Sequence, residues 1–251
     1  PLASINLSDR EGICRMNIFE DAASKIASSF YKTFIAEDRY KMYINGLKTT
    51  LLITLFATLI GVLLGTLVAV VKTIHKQSGG LKLLNRICEI YTTVIRGTPV
   101  VVQLLICFTI IFAKSSNGVF VGIITFGINS GAYVSEIVRA GINAVDIGQT
   151  EAGRSLGLSQ GITMLKIVMP QAIKNILPAI GNEFISLLKE TSVIGYVGEM
   201  DLTRAAERTM SRTADPFFPY LSIAAMYLIL VCGLNFLFKK FERRLAKSDR
   251  G

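Results

Sequence analysis

The stretch GQTEAGRS, at Gly148–Ser155, is the part of this chain that comes nearest to a nucleotide-binding motif. It matches the phosphate-loop pattern G-x-x-x-x-G-K-[ST], except that Arg154 stands where the pattern has the lysine that reaches the β- and γ-phosphates. A phosphate loop also joins a strand to a helix, and no apolar strand precedes Gly148. ATP binding by this chain is therefore not predicted.

The familiar residue patterns of hydrolytic and metal-dependent enzymes are missing from the sequence. It contains no His-Glu-x-x-His and no G-x-S-x-G, and its single histidine is His75. The four cysteines are widely separated and form no C-x-x-C pair, so we expect them to pack as small apolar residues. No catalytic residue, metal ligand or bound cofactor is predicted.

The composition instead indicates a membrane protein. Of 251 residues, 51% are hydrophobic and 18% are charged, and the mean hydropathy is +0.50. Two runs, Thr49–Val71 and Pro216–Phe238, contain no charged side chain, and each exceeds the roughly 20 residues that a helix needs to cross a bilayer. At least two spanning helices are therefore predicted.

Three further apolar stretches predict spans at residues 87–113, 119–142 and 176–197, although each contains charged residues. The fold class predicted is all-α, a polytopic bundle of about five transmembrane helices. Small residues let membrane helices approach closely, and Gly-x-x-x-Gly pairs recur within the spans. These pairs are Gly61/Gly65, Gly118/Gly122 and Gly127/Gly131.

The net charge of +9 follows the membrane pattern and does not indicate a nucleic-acid partner, because basic residues gather beside the apolar runs. The basic loop 72–86 and the basic C-terminal end predict cytoplasmic locations, and five spans then place the N-terminus outside. The predicted organisation is an extracytoplasmic segment 1–44, a transmembrane domain 45–245 and a cytoplasmic tail 246–251. Met16 is a candidate start, with residues 1–15 not native; no cleaved signal peptide is predicted.

Residues 145–174, here called the EAG segment, form a predicted cytoplasmic helix–turn–helix. Asp146 or Thr150 can cap the first helix, Glu151 suits its first turn, and Gly157 can end it. Pro170 then restarts or kinks the chain into the fourth span. From the residues alone, the segment is either a connector resting on the membrane surface or a docking element for a cytoplasmic partner.

The EAG segment resembles the EAA signature of ATP-binding-cassette importer permeases. Glu151, Ala152, Gly153, Gly157, Ile167 and Pro170 match the pattern E-A-A, three residues, G, nine residues, I-x-L-P, with Gly153 for the second Ala and Met169 for Leu. VIRGTPVVVQLL (Val94–Leu105), NSGAYVSEIVRAGI (Asn129–Ile142), LPAIGNEFISLLKETSV (Leu177–Val193) and FERRL (Phe241–Leu245) are similar to the polar amino-acid branch of that family.

The resemblance implies a permease subunit with the type I importer fold in a bacterial cytoplasmic membrane. It implies three kinds of partner: ATPase subunits that bind ATP and Mg²⁺, an extracytoplasmic substrate-binding protein, and a second permease subunit, identical or related. In that family the EAA loop couples the permease to the ATPase. Glu151 would then make charge contacts, Ala152 and Gly153 would allow close approach, and Gly157 would make the turn.

Ionisable and polar residues inside spans are candidates for the substrate pathway, because burying them in a membrane is costly. We predict Asn182 and Glu183 in the fourth span and Asn129 and Tyr133 in the third. Glu183 has an alternative role, an ion pair with Lys189 or Arg139.

A helix break is predicted in the second span at Arg96, Gly97, Thr98 and Pro99. Thr98 and Gln103 are expected to satisfy the backbone groups that the break frees. An ion-coupled secondary carrier of small polar solutes is the alternative function, but such carriers are usually longer and often contain two related halves.

Overall fold

The computed structural model describes residues 20, 21 and 23–247, and every regular element in these residues is helical. The candidate start at Met16, residues 1–15 and the tail beyond residue 247 lie outside the described residues. The helices are α1 Tyr40–Ser78, α2 Lys82–Gly97, α3 Val100–Ile106, α4 Gly118–Asn143, α5 Ile147–Ser155, α6 Gln160–Thr163, α7 Met169–Glu190, α8 Leu202–Thr213 and α9 Phe217–Lys247. A π-helical stretch, Tyr31–Ile35, and a 3-10 helix, Ala36–Asp38, precede α1. Two further π-helical stretches, Cys107–Ile111 and Met164–Val168, follow α3 and α6, and the 3-10 helix Thr191–Val197 follows α7.

Three of the described helices are long and apolar enough to cross a membrane: α1, α4 and α9. They contain the first and third predicted spans and all of the fifth except Pro216. The second predicted span is divided between α2 and α3, which meet at a bend of 108° and together count as a possible fourth span. The all-helical membrane fold is thus confirmed. By length and composition, three or four of the described helical segments could span a membrane, where five spans were predicted.

The predicted fourth span, 176–197, has different bounds in the structure. Helix α7 begins at Met169 and ends at Glu190, and the residues that follow are wound as a 3-10 helix. Pro170 does not break the chain here, because the first turn of a helix tolerates a residue that lacks a backbone N–H. The EAG segment therefore passes into α7 without an intervening loop.

Helix α4 lies at the centre of the bundle and α9 lies at its periphery. In the most apolar part of α4, 67% of the residues are buried, against 6% in α9. A Cβ atom on Gly65 of α1 would lie 2.7 Å from the backbone oxygen of Gly131 in α4. A Cβ on Gly61 would lie 2.8 Å from the Ser130 side chain. Two of the predicted Gly-x-x-x-Gly positions thus allow α1 and α4 to pack closely.

Three apolar clusters connect the helices along the bundle. The middle cluster joins α1, α3, α4, α7 and the 3-10 helix through Ile53, Leu104, Phe126, Leu187 and Ile194, among others. A second cluster, around Tyr43 and Leu202, packs α8 against α1 and α9. A third, around Val134, Val138 and Ile176, joins α4 to α1 and α7 at the end nearest the EAG segment. The N-terminal half of α7 is therefore packed against α4 and α1 beside that segment.

At the end of the bundle near Tyr43, a buried carboxylate holds α8 in place. The Asp201 side chain is fully buried and accepts hydrogen bonds from the backbone N–H groups of Thr203 (3.1 Å) and Arg204 (2.9 Å). Burial raises the pKa of the Asp201 carboxyl, and these hydrogen bonds oppose the rise. Asp201 thus caps α8, while its backbone packs against Gly46 of α1.

Candidate functional site

The first helix of the EAG segment, α5, has well-formed ends. Its N-terminus is capped by Asp146, whose side chain accepts a hydrogen bond from the Gly148 N–H at 2.6 Å. At the C-terminus, the N–H of Leu158 donates to the oxygen of Gly153 and that of Gly157 donates to Arg154. This pair of bonds defines a Schellman motif. Gly157 sits in it with φ +81°, a conformation that favours glycine.

Gly153 packs the two limbs of the EAG segment together. It is buried, and a Cβ on it would lie 2.7 Å from Thr163 Cγ2 and 2.9 Å from Ile167 Cδ1. In the structure, the absence of a side chain at Gly153 allows close approach between α5 and the second limb of its own segment. Ile167 is half-buried in the same contact.

The outer surface of the EAG segment combines a carboxylate with large apolar side chains. Glu151 and Ala152 are exposed. The side chains of three large apolar residues are also exposed: Ile147 by 74%, Leu156 by 80% and Leu165 by 69%. Exposed apolar groups of this kind mark interaction surfaces. We call Ile147, Glu151, Leu156 and Leu165 the EAG surface.

Hydrogen bonds tie the EAG segment to α7. The Gln171 side-chain amide donates to Gln149 Oε1 of α5 at 3.2 Å and to the backbone oxygen of Ile167 at 3.0 Å. Pro170 is exposed in the first turn of α7. A displacement of the EAG segment would consequently move the base of α7.

The helix break lies between α2 and α3. Helix α2 ends at Gly97, Thr98 is extended, and Pro99 precedes α3. The Gln103 amide nitrogen donates to the oxygens of Ile95 (2.7 Å) and Thr98 (3.0 Å), so its predicted role in satisfying freed carbonyl groups is confirmed.

One turn of α4 contacts three neighbouring elements through polar side chains. Asn129 donates to Gln103 Oε1 of α3 at 3.0 Å, and Ser130 donates to Glu183 Oε1 of α7 at 2.8 Å. The ring of Tyr133 lies 5.3 Å from the guanidinium carbon of Arg96 at the end of α2, within range of a cation–π contact. Three of the four predicted pathway residues thus meet at this turn.

Asn182, the remaining predicted pathway residue, is exposed on α7 and is not among the residues that line the described cavities. Among the described residues, no ion pair joins Glu183 to Lys189 or Arg139, and its carboxylate accepts from Ser130. Arg139 is paired elsewhere, with Glu136 at 3.0 Å. Sequence patterns do not reveal Ser130 as the partner, since the contact depends on how closely α4 packs against α7.

An ionic cluster closes one side of a polar cavity next to the helix break. Glu136 accepts from Lys72 at 3.1 Å as well as from Arg139, and Lys72 also donates to Thr92 at 2.9 Å. The cavity has a volume of about 540 Å³. It is lined by Lys72, Glu89, Thr92, Thr93, Arg96, Gly97, Tyr133 and Glu136. The cavity is therefore lined by positive and negative side chains and by two threonine hydroxyl groups.

Known proteins share this architecture. Residues 61–247 match the family described as binding-protein-dependent transport system inner membrane component. A putative glutamine transport system permease protein GlnP of Rickettsia typhi is 42% identical over 166 residues, covering 65% of this chain and 76% of the relative. The arginine transport system permease protein ArtQ of Bacillus subtilis is 40% identical over 166 residues, with the same coverage.

A solved structure gives the same result. The crystal structure of an amino acid ABC transporter with histidines has 43% sequence identity and a TM-score of 0.77, and the match covers 84% of this chain and 98% of that one. The bundle and its protruding helix–turn–helix define a subunit of a membrane transporter. The chain belongs to the family of inner membrane components of binding-protein-dependent transport systems. The predicted membership of the ABC permeases is confirmed, and an ion-coupled carrier is not favoured.

Proposed function

We propose that this chain is the permease subunit of an importer that moves polar amino acids inward across the membrane. In this proposal, separate ATPase subunits bind Mg²⁺ and ATP and supply the work. The observation that carries it is the EAG surface, a carboxylate among exposed apolar side chains on an element tied to α7. The relatives named for glutamine and arginine transport, and the structure with histidines, support the substrate class.

The proposed coupling runs from the EAG surface to α7. Ile147, Leu156 and Leu165 enter a groove of the ATPase, and Glu151 pairs with a basic side chain there. The small side chain of Ala152 lets the ATPase approach α5 closely, and Gly157 makes the turn that ends α5. Gly153 lets the two limbs of the EAG segment pack together. When the ATPase closes on ATP, Ile167 and Pro170 carry the displacement into α7 and thereby change access to the pathway.

The other proposed partners follow from the orientation of the chain. In the proposed orientation, residues 145–174, the loop 72–86 and the tail 246–251 are cytoplasmic, and residues 1–44 are extracytoplasmic. The transmembrane domain 45–245 pairs with a second permease subunit, identical or related. An extracytoplasmic binding protein delivers the amino acid at the end of the bundle that contains α8.

The proposed substrate pathway follows the polar turn of α4. Asn129 contributes an amide and Tyr133 contributes a phenol from α4. Glu183 contributes a carboxylate from α7, and this carboxylate accepts from Ser130 on the same turn of α4. A free amino acid carries an ammonium and a carboxylate, so it needs groups of both kinds along its path. Asn182, which is exposed on α7 beside Glu183, is the fourth residue of the proposed pathway and contributes a second amide.

Uptake into vesicles tests the proposed function. The permease is reconstituted with the ATPase subunit and the binding protein that co-purify with it, and uptake of labelled glutamine, arginine and histidine is measured. We expect uptake that needs all three proteins and ATP. Uptake by this chain alone, driven by a proton or sodium gradient, would contradict the proposal.

Glu183→Gln is expected to alter uptake selectively among amino acids. The substitution removes a negative charge but keeps an oxygen that accepts from Ser130, so packing is retained. We expect uptake of arginine to fall at least about fivefold relative to glutamine, because a desolvated charge pair contributes of the order of 1 kcal/mol or more.

Ser130→Ala is the matched control for Glu183→Gln. It removes the hydrogen bond between α4 and α7 and leaves the charge of Glu183. If the role of Glu183 is only to bind Ser130, Glu183→Gln should leave the ratio of arginine uptake to glutamine uptake unchanged, and Ser130→Ala should lower uptake of all three amino acids alike. That outcome would assign Glu183 to packing.

A further inference from the structure

The last turns of α9 form a cationic site on one face of the helix. Phe236, Lys239, Lys240, Arg243 and Arg244 are spaced three to four residues apart over two turns, so their side chains emerge on the same side. Together they line a cavity of about 440 Å³. All five residues are exposed.

These four cations have no acidic partner within ion-pair distance among the described residues. Like charges at neighbouring helical positions repel each other. Elsewhere in the described chain the buried or half-buried cations Lys72, Arg139 and Arg204 each have a carboxylate at 2.9–3.1 Å. The concentration of unpaired positive charge on α9 therefore calls for an anion from outside the chain.

The position of the cavity along α9 indicates which anion. From Phe217 to Phe238 the helix rises about 33 Å, which is close to the thickness of the hydrocarbon core. Leu228, Ile229 and Phe236 are 64%, 72% and 70% exposed, so this helix presents its apolar side chains to lipid. Lys239 is the first charged residue after them. The cations consequently lie at the depth of the phospholipid headgroups.

We infer that this cavity binds the headgroup of an anionic phospholipid. The four cations surround the phosphate and its negative charge, and Phe236 packs against the upper part of the acyl chains. The ligand is a phosphodiester in the leaflet that borders the C-terminal end of α9. The site is separate from the EAG surface and from the polar turn of α4.

Spin-label measurements on reconstituted protein test this inference. The full chain is placed in phosphatidylcholine nanodiscs, and the association of spin-labelled phosphatidylglycerol is compared with that of spin-labelled phosphatidylcholine. We expect the wild-type chain to prefer phosphatidylglycerol. Lys239→Gln/Lys240→Gln and Arg243→Gln/Arg244→Gln should each reduce this preference about tenfold or more, because each cation near a headgroup contributes roughly a fivefold factor.

The control removes two other exposed cations, Lys76→Gln/Lys82→Gln, which flank the loop between α1 and α2 and also have no acidic partner within ion-pair distance among the described residues. It should retain the preference. Equal loss in the control, or no preference in the wild-type chain, would overturn the site. Displacement of the labelled lipid by millimolar inorganic phosphate would reassign it to a soluble anion. Loss of the preference when the ATPase subunits are bound would reassign it to a protein contact.

Discussion

Replacing Gly157 by valine is expected to lower ATP-dependent uptake at least about tenfold while the chain remains inserted in the membrane. Gly157 has φ +81° in the turn that ends α5. A β-branched residue held in that conformation costs roughly 1–3 kcal/mol, and 1.4 kcal/mol corresponds to tenfold in an equilibrium. The turn would therefore relax to another conformation, and Leu156 and Glu151 would no longer lie on one docking surface.

Gly161→Val is the matched control for this prediction. Gly161 lies four residues further along the same segment, and neither glycine has a neighbour within 4 Å of an added Cβ. The two variants introduce the same side chain, but of these two glycines only Gly157 has a positive φ, so only Gly157→Val strains the backbone. Uptake and ATPase co-purification should be nearly normal in Gly161→Val. Normal uptake in Gly157→Val, or equal loss in both variants, would remove the proposed role of the turn.

The spans that the sequence predicts well are those in which a whole segment lacks charge. The stretch 49–71 falls inside α1, and all of 216–238 except Pro216 falls inside α9, because an uninterrupted apolar run of that length has few alternatives to a spanning helix. The stretch 87–113 also contains enough apolar residues to be predicted as one span, yet it forms two helices at 108°. The residues around Pro99 indicated a break, but the angle depends on how α3 packs against α4 and the 3-10 helix.

The EAG segment was predictable because its signals are local. The cap at Asp146 and the turn at Gly157 depend on residues within a few positions of each other. What the sequence did not reveal is which side of α5 faces inward. Gly153 and Leu156 are three residues apart, yet one is buried and the other is 80% exposed. That difference arises from the second limb, whose Thr163 and Ile167 cover Gly153 and leave Leu156 uncovered.

Contacts between distant helices mark the limit of prediction from a single sequence. Glu183 had plausible ionic partners on the basis of charge, but its carboxylate is satisfied by a neutral hydroxyl. Ser130 reaches Glu183 because α4 is held against both α1 and α7, and that placement depends on glycines of α1. The geometry of the polar turn on α4 thus rests on packing between α1 and α4.

Replacing Gly65 by valine is accordingly expected to lower the stability of the bundle. A Cβ at this position would lie 2.7 Å from the backbone oxygen of Gly131 and from Val134 Cβ, and a backbone group cannot rotate away. Adding bulk to a well-packed interior typically lowers the free energy of unfolding by about 1–3 kcal/mol. For a branched side chain at a close helix crossing, we expect a loss at or above the upper end of that range. The midpoint of unfolding in a titration with denaturing detergent should fall accordingly.

Gly233→Val on α9 serves as the matched control, since an added Cβ there has no neighbour within 4 Å and the same residue is introduced into another membrane helix. It should change the free energy of unfolding by less than about 0.5 kcal/mol. Gly65→Val should also weaken uptake of every amino acid alike, because separating α1 from α4 displaces Asn129, Ser130 and Tyr133 together. Wild-type stability in Gly65→Val would mean that α1 and α4 do not cross at these glycines, and the contact between Ser130 and Glu183 would then lose its structural basis.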